Sequence, residues 1–121
     1  MRIVLGCDHA GLALKEHIKE YLVRLGHEIT DVGTHTEESI DYPDFGKLAA
    51  EMVADGEAER GILICGTGIG MSITANKVKG VRAAHCTGLY EARLCRQHND
   101  ANVLALGGRV IGPGLAEEIV Q

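Results

Sequence analysis

The residues Ile64-Cys65-Gly66-Thr67-Gly68-Ile69-Gly70 carry the strongest chemical signal in this sequence. Glycines at alternate positions let a backbone turn sharply and present bare amide groups. A helix beginning there adds the positive end of its dipole, which makes the loop a natural cradle for an anion. Cys65 stands at the start, where amide dipoles favour a thiolate able to attack a carbonyl or remove a carbon-bound proton. The competing reading is a small buried hydrophobe beside a tight strand-to-helix turn, the common fate of a free cysteine. The spacing is not the GxGxxG dinucleotide fingerprint, and no Gly-Lys-Ser/Thr follows to make a Walker loop.

Asp8-His9 directly follows the first strand, at the edge where Cys65 is expected. His9 could bind a phosphate or a sugar oxygen and Asp8 could orient a hydroxyl, although for an isolated Asp-His pair a solvated helix-capping turn is the stronger reading. Arg96-Gln97-His98-Asn99-Asp100 ends a helix, where His98 is available as an acid or base or simply complements the helix dipole. Arg109, after Gly107-Gly108, could reach an anion or stand as an ordinary exposed cation. Cys7, Cys86 and Cys95 lack a glycine-rich setting and read as core residues; with no CxxC pair, free thiols are expected. Cys7 with His9 and His85 with Cys86 do not have zinc-motif spacing, so no metal is expected. His17, His27 and His35 read as surface or loop residues.

Alternating strands and helices must position these residues. Arg2 to Cys7 reads as a buried strand, followed by a helix with Leu14, Ile18, Leu22 and Leu25 inward and Lys15, Glu16, Lys19 and Glu20 toward solvent. Gly26 closes that helix. His27 to Val32 is a second strand, Gly33 to Asp41 a polar loop, and Pro43 opens a helix with Phe45, Leu48, Ala49, Met52 and Val53 inward, ending near Gly56. Gly61 to Cys65 is nearly all apolar, as a central parallel strand should be. A helix to about Lys77, a strand from Val81 to His85, a helix from Leu89 to Gln97, a strand from Asn102 to Leu106 and a helix after Pro113 complete the order. The expected fold is a three-layer, doubly wound, Rossmann-like α/β domain with a parallel five-stranded sheet flanked by helices. In such sheets ligands sit at the carboxyl ends of the strands, where Gly6 to Gly11, Cys65 to Gly70 and the helix end around His98 are expected to converge.

Composition agrees. The 121 residues fit one domain, 45% of them hydrophobic, and the aromatic set is only Tyr21, Tyr42, Phe45 and Tyr90. A net charge of −5 without a basic stripe or an aromatic stacking set argues against a nucleic-acid partner. No apolar run approaches the ~20 residues that span a bilayer, and the N-terminus lacks a signal-peptide pattern, so a cytoplasmic protein is expected.

Taken in order, Gly6-Cys7-Asp8-His9-Ala10-Gly11, Asp41-Tyr42-Pro43, Cys65 to Gly70, Asn76-Lys77 and Arg96 to Leu104 resemble the ribose-5-phosphate isomerase B family, within the wider group that includes galactose-6-phosphate isomerase subunits. The match spans nearly all of the chain. The resemblance implies a homodimer with active sites between subunits, no cofactor, and interconversion of ribose 5-phosphate and ribulose 5-phosphate in the pentose phosphate pathway. It implies Cys65 as the base moving a proton between C1 and C2, with Gly66, Thr67, Gly68, Ile69 and Gly70 holding the enediolate oxygens through backbone amides. Thr67 and His98 match positions that assist ring opening, His98 as the acid. Asp8, His9 and Asn99 match sugar and phosphate contacts, and Arg109 matches a phosphate-binding arginine. The family's usual C-terminal helix and tail, with further arginines, have no counterpart in residues 1–121, and no basic residue follows Arg109. Either the chain is shortened here or phosphate binding is reduced, and the departure bears on affinity, dimer stability and turnover.

Two other readings compete. One is an isomerase of another aldose phosphate, such as allose or galactose 6-phosphate; the other is a non-catalytic sugar-phosphate-binding module. A receiver-like signalling domain is disfavoured, because Cys65 occupies the place of its phospho-accepting Asp.

Overall fold

The computed structural model describes residues 1–32 and 42–121, the first three of the latter by backbone alone. The strands are β1 (Arg2–Cys7), β2 (Glu28–Asp31), β3 (Arg60–Cys65), β4 (Ala83–His85) and β5 (Val103–Gly107). The helices are α1 (Leu12–Arg24), α2 (Tyr42–Ala54), α3 (Ile69–Asn76), α4 (Leu89–Gln97) and α5 (Pro113–Val120), with a short 3-10 turn at His9–Gly11 before α1. All strands pair in parallel, in the order β2-β1-β3-β5-β4. The chain moves outward from β1 to β2 and then returns to β3 on the other side of β1. The switch point of this doubly wound sheet is therefore the crevice between the carboxyl ends of β1 and β3.

Side chains alternate across the sheet with the period of two that a strand imposes. Ile3, Leu5 and Cys7 of β1, Ile62 and Ile64 of β3 and Leu106 of β5 pack on one face with Leu14, Ile18 and Leu22 of α1 and Ala116 and Ile119 of α5. Val4, Leu63, Cys65, Val103 and Ala105 point to the other face, against Ala49, Ala50 and Val53 of α2 and Met71 and Ala75 of α3. The same alternation that builds the core thus turns the Cys65 side chain toward the α3 layer. Among the described residues no helix is long and apolar enough to cross a membrane. The Gly33 to Asp41 loop and His35 lie outside the described residues.

Inward positions depart from expectation at three places. Leu25 follows the end of α1 and is half exposed, so the stripe stops at Leu22. Leu48 is also half exposed, because α2 meets its neighbours through small residues: Ala49 and Ala50 are buried, and a Cβ at Gly46 would lie 2.8 Å from Met71 Sδ. Lys15, expected in solvent, is fully buried. It lies three residues before Ile18 and seven before Leu22, on the inward face of α1, and its Nζ is 2.8 Å from Asp31 at the end of β2 and 3.1 Å from Glu16. Lys19 reaches the same Asp31 oxygen at 3.2 Å. His17, half exposed, meets Glu117 at 2.7 Å and ties α1 to α5.

Burial alone lowers the pKa of the Lys15 ammonium, but its hydrogen bonds to Asp31 and Glu16, with the negative charges of Cys7 and Asp31, outweigh it and raise the pKa above 10.5. A raised folded pKa means that the pair stabilises fully below the unfolded value and loses its contribution as pH climbs through the folded one. Lys15→Met should cost about 3 kcal/mol at neutral pH, the low end for a broken buried pair because Lys19 remains on Asp31. Urea unfolding measures this, and the gap between wild type and variant should narrow as pH rises past the ordinary lysine range.

Candidate active site

Three chain segments meet at the switch point. From β1 comes Asp8, whose N–H donates to the Ile64 carbonyl at 3.1 Å and whose Oδ1 accepts from Ala10 and Gly11 N–H at 2.9 and 3.0 Å. Asp8 therefore caps the turn that leads into α1, but it is buried rather than solvated. That turn sits so close to β3 that a Cβ at Gly11 would lie 2.4 Å from the Ile64 carbonyl oxygen, which only glycine permits. His9 follows, half buried, with Nδ1 enclosed and without a hydrogen-bond partner among the described residues. An enclosed ring nitrogen of this kind is suited to a ligand oxygen.

From β3 comes the glycine loop. Cys65 is 6% exposed, and its Sγ accepts a hydrogen bond from Gly68 N–H at 3.1 Å. Gly68 has φ of +90°, a left-handed conformation that turns its N–H back toward the sulfur, and it immediately precedes α3. Thr67, exposed, accepts at Oγ1 from Ile69 N–H at 3.1 Å. The remaining first-turn amides of α3, from Gly70 onward, have no intrahelical acceptor, as at every helix start. This disposition suits a negative charge both on sulfur and on an oxygen beside it.

From β5 the Gly108 N–H donates to the Cys65 carbonyl at 2.7 Å and the Arg109 N–H donates to the Gly66 carbonyl at 3.0 Å. Arg109 itself is exposed, and its Cδ lies 3.7 Å from where a Gly66 Cβ would be. One chain therefore brings Asp8, His9, Cys65, Gly66, Thr67, Gly68, Ile69, Gly70 and Arg109 to one edge.

It does not bring His98 and Asn99 there. Helix α4 starts after the carboxyl end of β4 and runs back, so its far end lies at the amino edge of the sheet. The Asn99 carbonyl accepts from Arg82 Nε at 2.7 Å, and Asn102 N–H donates to the Arg82 carbonyl at 3.0 Å. Between that edge and Gly107, which pairs with Cys65, lie about 13 Å of strand. The expected convergence of the His98 helix end with Cys65 is corrected on this point: crossovers in a parallel sheet return each helix to the opposite edge.

His85 escaped the sequence reading as a site residue. It ends β4 on the same edge as Cys65, half buried, and its Nε2 lies 2.7 Å from the Thr67 carbonyl oxygen. The signal was available, since the last residues of all strands in a parallel sheet lie along one edge. The other thiols sit in the core or against it. Cys7 and Cys86 are buried, and burial, then the neighbouring Cys95, push the Cys86 thiol up to about 12. Among the described residues no three His, Cys, Asp or Glu side chains are grouped to hold a metal ion.

A model of the family described as Ribose/Galactose Isomerase matches residues 3–121. The chain belongs to that family. It is 53% identical over 120 residues to ribose-5-phosphate isomerase B of Escherichia coli (strain K12), covering 99% of this chain and 80% of the relative. It is 49% identical over 121 residues to galactose-6-phosphate isomerase subunit LacB of Clostridium acetobutylicum, covering 100% of this chain and 70% of the relative. The solved structure of Clostridium thermocellum ribose-5-phosphate isomerase B superposes with a TM-score of 0.98 at 58% identity, over 99% of this chain and 81% of that one. The chain is thus a sugar-phosphate isomerase of this family by kinship, and the glycine loop is where its own geometry is chemically disposed.

Iodoacetamide at about pH 8 should modify Cys65 in the native protein roughly tenfold or more faster than Cys86, whose thiol stays protonated there. Peptide mapping by mass spectrometry reads both rates, and equal rates would place Cys65 with the inert core thiols.

Proposed function

We propose that this protein interconverts ribose 5-phosphate and ribulose 5-phosphate through an enediolate, with Cys65 as the base. The observation that carries this reading is the Cys65 sulfur held by the Gly68 N–H at the switch point, ahead of a helix start. As a thiolate, Cys65 takes the proton from C2 of the open-chain aldose. The C2–H electron pair forms the C1–C2 double bond, and the aldehyde π pair moves onto its oxygen. Transfer of the O2 hydroxyl proton to O1, collapse of the O2 electron pair to the C2 carbonyl and return of the proton from Cys65 to C1 complete the change. Electrons only move between two carbons of one molecule, so the step needs no outside oxidant or reductant. Oxyanion donors contribute on the order of 3 kcal/mol each, so those amides of Gly66 to Gly70 that Cys65 Sγ and Thr67 Oγ1 do not already engage form a major part of the barrier reduction.

His98 serves in this proposal as the acid that opens the furanose ring, with Thr67 beside it, and Asn99, Asp8, His9 and Arg109 as sugar and phosphate contacts. Since His98 lies at the far edge of its own sheet, it acts on the Cys65 of a second copy, and the active unit is a homodimer with interfacial sites. Large apolar side chains left exposed around the β4 edge support such a partner: Ile69 (53%) and Ile73 (55%) on α3, Leu89 (41%) and Tyr90 (72%) on α4. The reaction is placed in the cytoplasm. The LacB relative favours a second reading, in which a hexose 6-phosphate is the substrate.

Turnover on ribose 5-phosphate, allose 6-phosphate and galactose 6-phosphate decides between them, the pentose being expected fastest. Cys65→Ala and His98→Asn should each lose roughly a hundredfold or more in kcat. Mixing and reassociating these two variants should restore about a quarter of the wild-type activity, because half of the dimers then hold one intact site of two. No restoration on mixing would contradict the shared site, and full turnover by Cys65→Ala would contradict the base.

A further inference from the structure

The peptide unit between Thr67 and Gly68 is held at both ends. Its N–H donates to Cys65 Sγ at 3.1 Å, and its carbonyl oxygen lies 2.7 Å from Nε2 of His85. A carbonyl can only accept, so Nε2 carries the hydrogen. The imidazole also packs closely against the turn, since a Cβ at Gly68 would meet His85 Cδ2 at 2.6 Å and Nε2 at 2.8 Å. β4 is an edge strand of three residues, and His85 is its last, so the side chain reaches the loop from outside the β1–β3 crevice.

We propose that His85 is a positioning residue for Cys65: by anchoring the Thr67 carbonyl it fixes the one peptide whose N–H faces the sulfur, and so favours the thiolate. The inference rests on the reading of Cys65 as the base, and deepens it. Two effects act together. Rotation of the peptide, which a turn at positive φ otherwise allows, would point the N–H away from sulfur and is blocked by the bond at its far end. A hydrogen bond accepted by a carbonyl also polarises its amide and strengthens the bond that the N–H donates. Among the described residues, other charged or titratable groups at this edge are Asp8 and His9 from the β1 end, Arg109 from the β5 end, and Tyr90 and Glu91 at the start of α4, which line a cavity with His85; Asp8 Oδ1 is already engaged by Ala10 and Gly11. None of them is altered by a change at residue 85.

The test compares wild type with His85→Leu and His85→Met, which lack a donor, and His85→Gln, whose amide can replace Nε2. Alkylation of Cys65 by iodoacetamide in the native full-length chain, followed by peptide mapping across roughly pH 5 to 10, gives the midpoint of thiolate formation. The donorless variants should shift that midpoint up by roughly half to one pH unit, a three- to tenfold loss of thiolate on the acid side. Their kcat should fall by a similar factor with KM within about twofold of wild type, and His85→Gln should recover most of both losses. An unchanged midpoint in whichever donorless variant folds, or an equal shift in His85→Gln, would overturn the proposal. The alkylation profile does not depend on turnover. Retained activity in Cys65→Ala would therefore remove the base assignment while leaving the His85 effect on the thiol separately readable.

Discussion

A thiol at the end of a buried strand is a poor base unless something compensates the charge it must carry. At the end of β3 the compensation is a single peptide N–H, that of Gly68, 3.1 Å from the Cys65 sulfur and delivered by a turn at φ +90°. Everything around the site serves that geometry. The sheet alternation turns Cys65 toward the α3 layer, the backbone of Gly108 and Arg109 fixes the loop from β5, and the Asp8 cap presses the α1 turn against β3. A change that rotates this one peptide alters the sulfur without touching it.

The parallel sheet that makes the site also makes it incomplete. A crossover helix leaves one edge and returns to the other, so a residue at the end of α4 is separated from Cys65 by the length of β5. A single subunit supplies the proposed base and the loop amides beside it, and the proposed ring-opening acid must come from elsewhere. The exposed apolar side chains of α3 and α4 lie where a second copy could bring its own α4 end across.

Much of this was legible in the residues. Short, nearly continuous apolar runs marked the strands, and β1 and α4 have the bounds that the pattern implied. The glycine loop after Cys65 marked the candidate site, although alternate glycines also serve tight packing at a strand-to-helix turn. What was hidden depends on distance. The burial of Lys15 follows from the helical period, but only the position of Asp31 at the end of β2 makes a buried ammonium tolerable, and that pairing joins residues sixteen apart in sequence. His85 looked like one half of a weak metal pair until the strand order placed its ring on the Thr67 carbonyl. His98 looked close to Cys65 because the sequence shows which element a residue ends, while its edge of the sheet follows only from tracing the crossover.

The central claim is that the Cys65 sulfur removes the proton from C2 of the bound sugar phosphate. Proton magnetic resonance of ribose 5-phosphate in deuterated water, with catalytic amounts of protein, follows loss of the C2 signal directly. The account predicts steady exchange by the wild-type chain and exchange at the uncatalysed rate by Cys65→Ala; exchange at the wild-type rate by that variant would contradict it.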